Sequence, residues 1–202
     1  MTTTELLGRF VAGRGEIREY MRAPFARGDW IYATNGHIAV RVPKVDGIAA
    51  ESDKLKKIEG LFEKSKRDNF IDLPELPEAE KCPTCNGSGI GYKCPKCEGK
   101  GDFDKDGHSY DCKECDGSGQ VDDGYDADKE PCIECGGDGE SHYNKAVKVG
   151  NWHYDRRYLA MIEKLPAVKF AQRPEGPADF EDVAVAYFVF DGGEGVLMPM
   201  RA

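Results

Sequence analysis

The residues of this chain best suited to chemistry are its cysteines, which lie in one stretch and repeat one pattern. Cys82-Pro-Thr-Cys85-Asn-Gly-Ser-Gly89, Cys94-Pro-Lys-Cys97-Glu-Gly-Lys-Gly101, Cys112-Lys-Glu-Cys115-Asp-Gly-Ser-Gly119 and Cys132-Ile-Glu-Cys135-Gly-Gly-Asp-Gly139 are four copies of C-x-x-C-x-G-x-G, and they use all eight cysteines. A tetrahedral zinc ion takes two thiolates from each of two C-x-x-C turns. Four turns therefore complete two structural Zn2+ sites with no thiol left over. The trailing glycines fit this chemistry, because the chain must tighten after each second cysteine and glycine takes positive φ without a Cβ penalty.

Eight cysteines in a secreted chain would instead suggest four disulfides. The start, Met1-Thr-Thr-Thr-Glu5, lacks the basic head and apolar run of an export signal. No segment approaches the roughly 20 apolar residues that span a bilayer. The expectation is a cytoplasmic protein without membrane association, where reducing conditions favour metal over disulfide. Thioredoxin-like chemistry needs one C-x-x-C, and fourfold repetition with trailing glycines argues against it.

Between Cys82 and Gly139 the aliphatic side chains larger than Ala, together with Phe and Trp, are Ile90, Phe103, Val121 and Ile133 alone. Tyr92, Tyr110 and Tyr125 add some apolar area. So small a set cannot offset roughly 1–2 kcal/mol per residue of backbone ordering. Structural zinc contributes on the order of 10 kcal/mol per site, so the segment is expected to fold only with metal.

The fourfold motif over residues 82–139 resembles the cysteine-rich zinc domain of DnaJ-type co-chaperones. The resemblance implies an elongated, β-hairpin-rich module in which the first motif pairs with the fourth and the second with the third. Cys82, Cys85, Cys132 and Cys135 would then hold one zinc, and Cys94, Cys97, Cys112 and Cys115 the other. Nested pairing also suits a segment that leaves and rejoins its host at one place, although spacing alone leaves the pairing of neighbouring motifs open. The rest of the chain departs from that family. It has no His-Pro-Asp tripeptide and no Gly/Phe-rich linker, so stimulation of a chaperone ATPase is not implied.

Charge separates the module from its surroundings. It carries six lysines and no arginine against ten aspartates and four glutamates, a net −8 where the whole chain has −9. Eight thiolates around two Zn2+ ions would add a further −4. Phosphate binding relies on Lys and Arg, so the module is not a duplex-reading finger. Its acidic surface serves solubility, or docks a basic partner.

The segments on either side have globular composition. Residues 29–42 read as a hairpin turning at Asn35-Gly36, and Ser52–Lys64 as a helix with Leu55, Ile58 and Phe62 on one face. A further helix is expected at Glu5–Ala12. Asp72–Glu78, with two prolines and three acids, is a linker. Beyond the module, Ala146–Tyr154 reads as a strand and Asp155 as the N-cap of the helix Arg156–Leu165, stopped by Pro166. Strands follow at Val168–Gln172, Val183–Phe190 and Gly195–Met200, with the turn Asp191-Gly192-Gly193 before the last. The first half reads as a degenerate copy of this β-α-β-β-β unit.

The unit's Arg157-Tyr158-Leu159 helix start, its Leu197-Met-Pro-Met-Arg201 ending and Thr34-Asn35-Gly36-His37 resemble a single domain of the bacterial DNA sliding clamp, the DNA polymerase III β subunit. The resemblance covers roughly residues 20–45 and 145–202. It implies an α+β fold, with a discontinuous clamp-like domain at 1–76 and 141–202 and the zinc module at 77–140. One such domain could encircle DNA only by self-association. A compact domain carrying a metal module is the kind of accessory protein found in small replicons, phages above all.

Catalytic patterns are lacking. His37, His108, His142 and His153 are dispersed, Gly13-Arg14-Gly15 reads as a turn, and no Walker, G-x-S-x-G or H-E-x-x-H motif occurs. Trp30, Tyr32, Trp152 and Tyr154 have the period-2 spacing of strand packing rather than of a recognition patch. The first 44 residues hold Arg9, Arg14, Arg18, Arg22, Arg27, Arg41 and Lys44 against four acids, the one place where DNA contact is credible. Three readings follow. The first is a non-enzymatic zinc protein binding a protein partner in DNA metabolism or host interference. The second is a clamp-like replication factor that self-associates and touches DNA. The third is a thiol-redox or client-binding protein of the disulfide-oxidoreductase or chaperone kind.

Overall fold

The strands of the flanking segments include near-continuous apolar runs such as 38–42 and Ala186–Phe190, which bury both faces. A computed structural model describes residues 2–12, 17–45, 47–53, 55–121, 123–124, 129–141, 146–172 and 185–200. Of the candidates above, Gly13-Arg14-Gly15, Tyr125, His142, Val183 and Arg201 lie outside the described residues. The chain divides into two compact units, Met1–Leu76 with Asn144–Ala202, and Pro77–Tyr143.

The first segment builds α1 (Thr3–Gly8), strands β1 (Phe25–Arg27), β2 (Trp30–Thr34), β3 (Ile38–Pro43) and β4 (Ala50–Glu51), and α2 (Ile58–Ser65). The middle segment forms β5 (Ile90–Lys93), β6 (Asp102–Lys105), β7 (His108–Asp111), β8 (Gln120–Val121) and β9 (Lys129–Pro131). The last forms β10 (Ala146–Val149), β11 (Trp152–Asp155), α3 (Arg156–Glu163), β12 (Lys169–Ala171), β13 (Ala186–Phe190) and β14 (Gly193–Leu197). The whole is a mixed α+β chain, rich in sheet. Among the described residues no helix is long and apolar enough to cross a membrane.

The first unit is built on one sheet of seven strands in the order β12-β13-β14-β3-β2-β1-β4. Two antiparallel meanders, β1-β2-β3 and β12-β13-β14, meet edge to edge where β3 and β14 pair antiparallel. Each meander follows a helix, α1 or α3, and both helices bury their apolar residues on the same face. Leu6, Leu7 and Phe10 share a core there with Tyr158, Leu159 and Ile162, over Ile31, Val40, Phe170 and Phe188. The two halves thus repeat an α-β-β-β order about the central seam. On the opposite face Ile58 and Phe62 of α2 pack over Phe25, Tyr32, Tyr187 and Val196.

Local chemistry moves several expected boundaries. Helix α1 starts early because Thr2 and Glu5 form a reciprocal capping box. The first turn of the expected 52–64 helix is lost, leaving Leu55 in a turn while Ile58 and Phe62 keep the buried face. Ala146–Tyr154 is not one strand but a hairpin that reverses at Gly150-Asn151, with Val149 opposite Trp152. The 29–42 hairpin turns one residue later than expected, at Gly36-His37. There the Asn35 carboxamide oxygen accepts the amides of His37 and Ile38 at 3.0 and 3.2 Å. Gly193 belongs to β14, opposite Phe190, which leaves Asp191-Gly192 as the turn. The last strand stops at Leu197, and Met198-Pro-Met200 lies beyond it.

A charged group closes the seam. Arg41 of β3 stands opposite Glu194 of β14 and is 1% exposed. Its Nε donates to Glu194 at 2.6 Å, and its Nη2 donates to Glu63 of α2 at 2.8 Å. The Trp30 and Phe62 rings lie 4.3 and 4.6 Å from the guanidinium, and the Tyr187 hydroxyl donates to Glu194. Burial works against the guanidinium charge, but the hydrogen bonds Arg41 donates to Glu63, Tyr32 and Glu194 outweigh it and hold Arg41 protonated. Removing one partner of such a pair leaves the other charge buried and uncompensated. Arg41→Ala is therefore expected to lower unfolding stability by about 3–5 kcal/mol, measured by urea denaturation of zinc-loaded protein. A loss under about 1 kcal/mol, the range of exposed pairs, would show that the seam does not depend on it.

Candidate metal centres

The middle unit has almost no apolar interior. Its buried clusters are Cys82, Cys85, Cys132 and Cys135, and Cys94, Cys97, Cys112 and Cys115, the second joined by Val121. All eight are buried free thiols. In each cluster the sulfurs lie within 4.8 Å of one another. The Cys82–Cys132 and Cys85–Cys135 sulfurs are 3.9 and 3.7 Å apart. Cys94–Cys112 and Cys97–Cys115 are 3.9 and 3.8 Å apart. Four sulfurs at about 2.3 Å from a tetrahedral zinc would stand about 3.8 Å apart, whereas a disulfide needs about 2.05 Å. Each cluster can coordinate one zinc ion, and no ligand is left over.

The glycines explain how the motifs mate. Cys82 donates its amide to Gly139 at 2.8 Å, and Cys132 donates to Gly89 at 3.0 Å. Cys94 donates to Gly119 at 2.9 Å, and Cys112 to Gly101 at 2.8 Å. The contact is too close for a side chain. A Cβ on Gly89 would stand 2.3 Å from the Gly137 carbonyl oxygen, and one on Gly139 would stand 2.4 Å from that of Gly87. Gly101 and Gly119 meet the carbonyls of Gly117 and Gly99 in the same way, at 2.3 and 2.5 Å. Each last glycine also donates its amide to the second cysteine of its own motif, at 3.2–3.3 Å. The ends of the unit join as well, through a bridge between Lys81 and Glu140.

These amides tune the thiols. Burial opposes ionisation of Cys85, but donation from Gly89 and Gly87 prevails and brings it down to about 7. At Cys97 the Gly101 amide likewise overcomes burial, giving about 7. Burial lifts Cys115 to about 11 and Cys135 to about 12. The amides thus favour the thiolate at Cys85 and Cys97, while burial opposes it at Cys115 and Cys135. A bound dication is what makes four adjacent thiolates stable.

Gln120 is a residue that the motif pattern did not single out. It follows the third motif, yet its side chain brackets Cys132 of the fourth. Its Nε2 donates to the Pro131 carbonyl at 3.1 Å, and its Oε1 accepts the Ile133 amide at 2.8 Å. It crosses β5, the centre of the sheet β8-β5-β9, at Gly91, where a Cβ would fall 2.3 Å from Oε1. The only sequence signal was that glycine inside a strand, which marks a close approach. Gln120 thus ties the second centre to the first.

The remaining candidates are dispersed. His37 stacks on Tyr158 with ring centroids 6.0 Å apart, and His108 and His153 lie on β7 and β11. Tyr32 and Tyr154 are fully buried, and Trp30 and Trp152 are half-buried. In the basic amino-terminal set, Arg27 pairs with Asp53 and Glu59 at 3.1 and 2.9 Å. Arg41 lies in the seam and Lys44 pairs with Glu51. Arg18 packs beside Gly36. Exposed aromatic surface occurs instead on the zinc unit, at Phe103 and Tyr110.

Zinc-loaded protein is expected to contain two metal ions per chain. Chelation should erase the dispersed NMR amide signals of residues 82–139 and leave those of the seven-stranded sheet; a unit that stays dispersed in chelator refutes the metal-dependent fold. Gln120→Ala removes two part-buried hydrogen bonds, to the Pro131 carbonyl and from the Ile133 amide, a cost of about 1–3 kcal/mol together. It should weaken zinc binding at the Cys82 centre by about tenfold while sparing the Cys94 centre. Competition with a chromophoric chelator separates the two steps, and equal loss at both centres would contradict this role. Comparison with family models, with curated proteins and with solved structures gives no match, so the reading of function rests on this geometry.

Proposed function

We propose that this is a non-enzymatic zinc-binding protein that engages a protein partner in DNA metabolism or host interference, as a phage-encoded accessory would. The observation that carries the reading is the closed coordination shell. Four buried thiolates per centre leave zinc no open position for substrate or water, which is the mark of a structural rather than a catalytic ion. The metal then serves to display a surface, and that surface is strongly acidic with exposed aromatic groups.

Two other readings have some support. The repeated α-β-β-β order, with α1 and α3 on one face of a continuous sheet, suits a domain of sliding-clamp type that self-associates around DNA. The ion pairs of Arg27, Arg41 and Lys44 leave less positive charge for phosphates than the sequence count suggests. A thiol-redox or client-binding role of the DnaJ kind draws on Cys85 and Cys97, whose thiols ionise near neutrality. It would need one zinc to be labile.

The test is affinity purification of the tagged, zinc-loaded protein from nuclease-treated bacterial lysate, followed by mass spectrometry. One stoichiometric partner is expected. A heterogeneous set of unfolded clients would overturn the dedicated binder in favour of the DnaJ-like reading. Salt-dependent binding of added duplex DNA in a gel shift of the purified protein, lost on Arg18→Glu and Arg22→Glu, would overturn it in favour of the clamp-like one.

A further inference from the structure

We propose that the β6–β7 hairpin of the zinc unit is the docking element of this protein, and that it fits a partner protein surface bearing an apolar pocket rimmed by Lys and Arg. The inference rests on the binding role proposed above and assigns it a place. All eight strand residues of the hairpin are exposed, and its two strands form a sheet of their own. It occupies the whole connection between the second and third cysteine motifs. Its feet are held where Cys112 donates its amide to Gly101 at 2.8 Å. Its turn, Asp106-Gly107, has φ of 54° and 77°, the paired positive values of the tight turn that matches strand twist. Such an element is ordered before it meets a partner, which lowers the entropic cost of binding.

The register sorts its side chains into two unlike faces. Phe103 stands opposite Tyr110 and Lys105 opposite His108, while Asp102 stands opposite Asp111 and Asp104 opposite Ser109. Phe103 and Tyr110 are 42% and 54% exposed. A cross-strand aromatic pair stabilises a hairpin by up to about 1 kcal/mol, so that face alone has a structural explanation. The other face does not. Two aspartates directly opposite each other repel, a third stands beside them, and the Ser109 hydroxyl donates to Asp102 at 2.7 Å. Residues 102–111 hold four aspartates against one lysine. They sit on a unit of net −8 before its thiolates are counted.

That charge selects the partner. A field of this sign repels nucleic acid and anionic membranes and draws in a cationic protein surface. Aromatic anchors seated in a pocket are where interface energy concentrates, and complementary charge steers the encounter and selects the partner. The hairpin supplies both from ten consecutive residues, the rings on one face and the aspartates on the other. It therefore fits a groove that takes Phe103 and Tyr110 on an apolar wall and meets Asp102, Asp104 and Asp111 with Lys and Arg.

The test uses the full zinc-loaded chain with a photoreactive residue, Phe103→p-benzoylphenylalanine or Tyr110→p-benzoylphenylalanine, irradiated in nuclease-treated bacterial lysate. Ile17, 90% exposed in the other unit, is the control position. The expected result is one adduct at both hairpin positions, with its cross-linked peptide in a Lys/Arg-rich segment of the partner. Its yield should fall by about tenfold or more on Asp102→Asn, Asp104→Asn and Asp111→Asn combined, each exposed charge pair being worth up to about 1 kcal/mol. Two bound zinc ions in that variant show that the fold persists. Adducts that match those at Ile17, that survive neutralisation of the aspartates, or that join only second copies of this chain would each overturn the proposal. A stoichiometric partner purified with the protein but never cross-linked from the hairpin would sink this inference alone. The absence of any partner would sink the binding role with it.

Discussion

The zinc unit depends on bonds between thiolate and metal, because nothing else within it can hold it closed. Its buried clusters are the ligands themselves. Ordering some 60 residues costs roughly 1–2 kcal/mol each in backbone entropy, and four larger aliphatic or phenyl side chains cannot answer that. The other features of the unit follow from bringing four sulfurs to the corners of a tetrahedron. The amides that reach across between motifs fix which turns face each other, and the last glycines let two backbones meet at a distance no Cβ would allow. The amides that reach each second sulfur begin the compensation of charge that the cation completes.

The other unit needs no metal, having a sheet with a core on each face. Its difficulty is topological, since its central strand pair joins residues 153 positions apart. The cost of closing such a loop rises only with the logarithm of its free length. The zinc unit shortens that free length, because the Lys81–Glu140 bridge brings its ends together. An insertion that closes on itself is a small burden to its host. Arg41 and Glu194 then lock the seam with a pair whose specificity comes from the cost of leaving either charge alone.

What the sequence made legible is the part governed by local chemistry. The eight ligands were readable because metal coordination dictates both residue type and spacing. So were the buried faces of α2 and α3, from Phe62 and Tyr158 at helical intervals. What escaped depends on contacts remote in sequence. Gln120 looks like an ordinary polar residue until β8 brings it against Pro131 and Ile133. The reversal at Gly150-Asn151 was hidden because Val147, Val149, Trp152 and Tyr154 lie close enough together to pass for one strand, although their alternation shifts phase by one residue there. The Gly36-His37 turn was displaced by one residue because the Asn35 side chain takes the amides of His37 and Ile38, a choice that propensity alone does not decide. Period-two spacing also cannot separate half-buried from wholly exposed strands. It therefore gave Tyr32 and Tyr154, which are interior, the same appearance as Phe103 and Tyr110, which are not.

This last contrast bears on function. In a domain stabilised by apolar burial, large side chains are drawn inward, and those left outside are commonly scattered singly. A unit stabilised by metal is free of that demand. It can keep aromatic rings on its surface and tolerate facing aspartates, since neither choice threatens a core it does not have. Four thiolates around each dication leave both centres with net negative charge, so the staple deepens the field that the surface already carries. Metal coordination and acidic display therefore reinforce one another. The sign of the combined field disfavours polyanions and favours the cationic protein surface proposed as its partner.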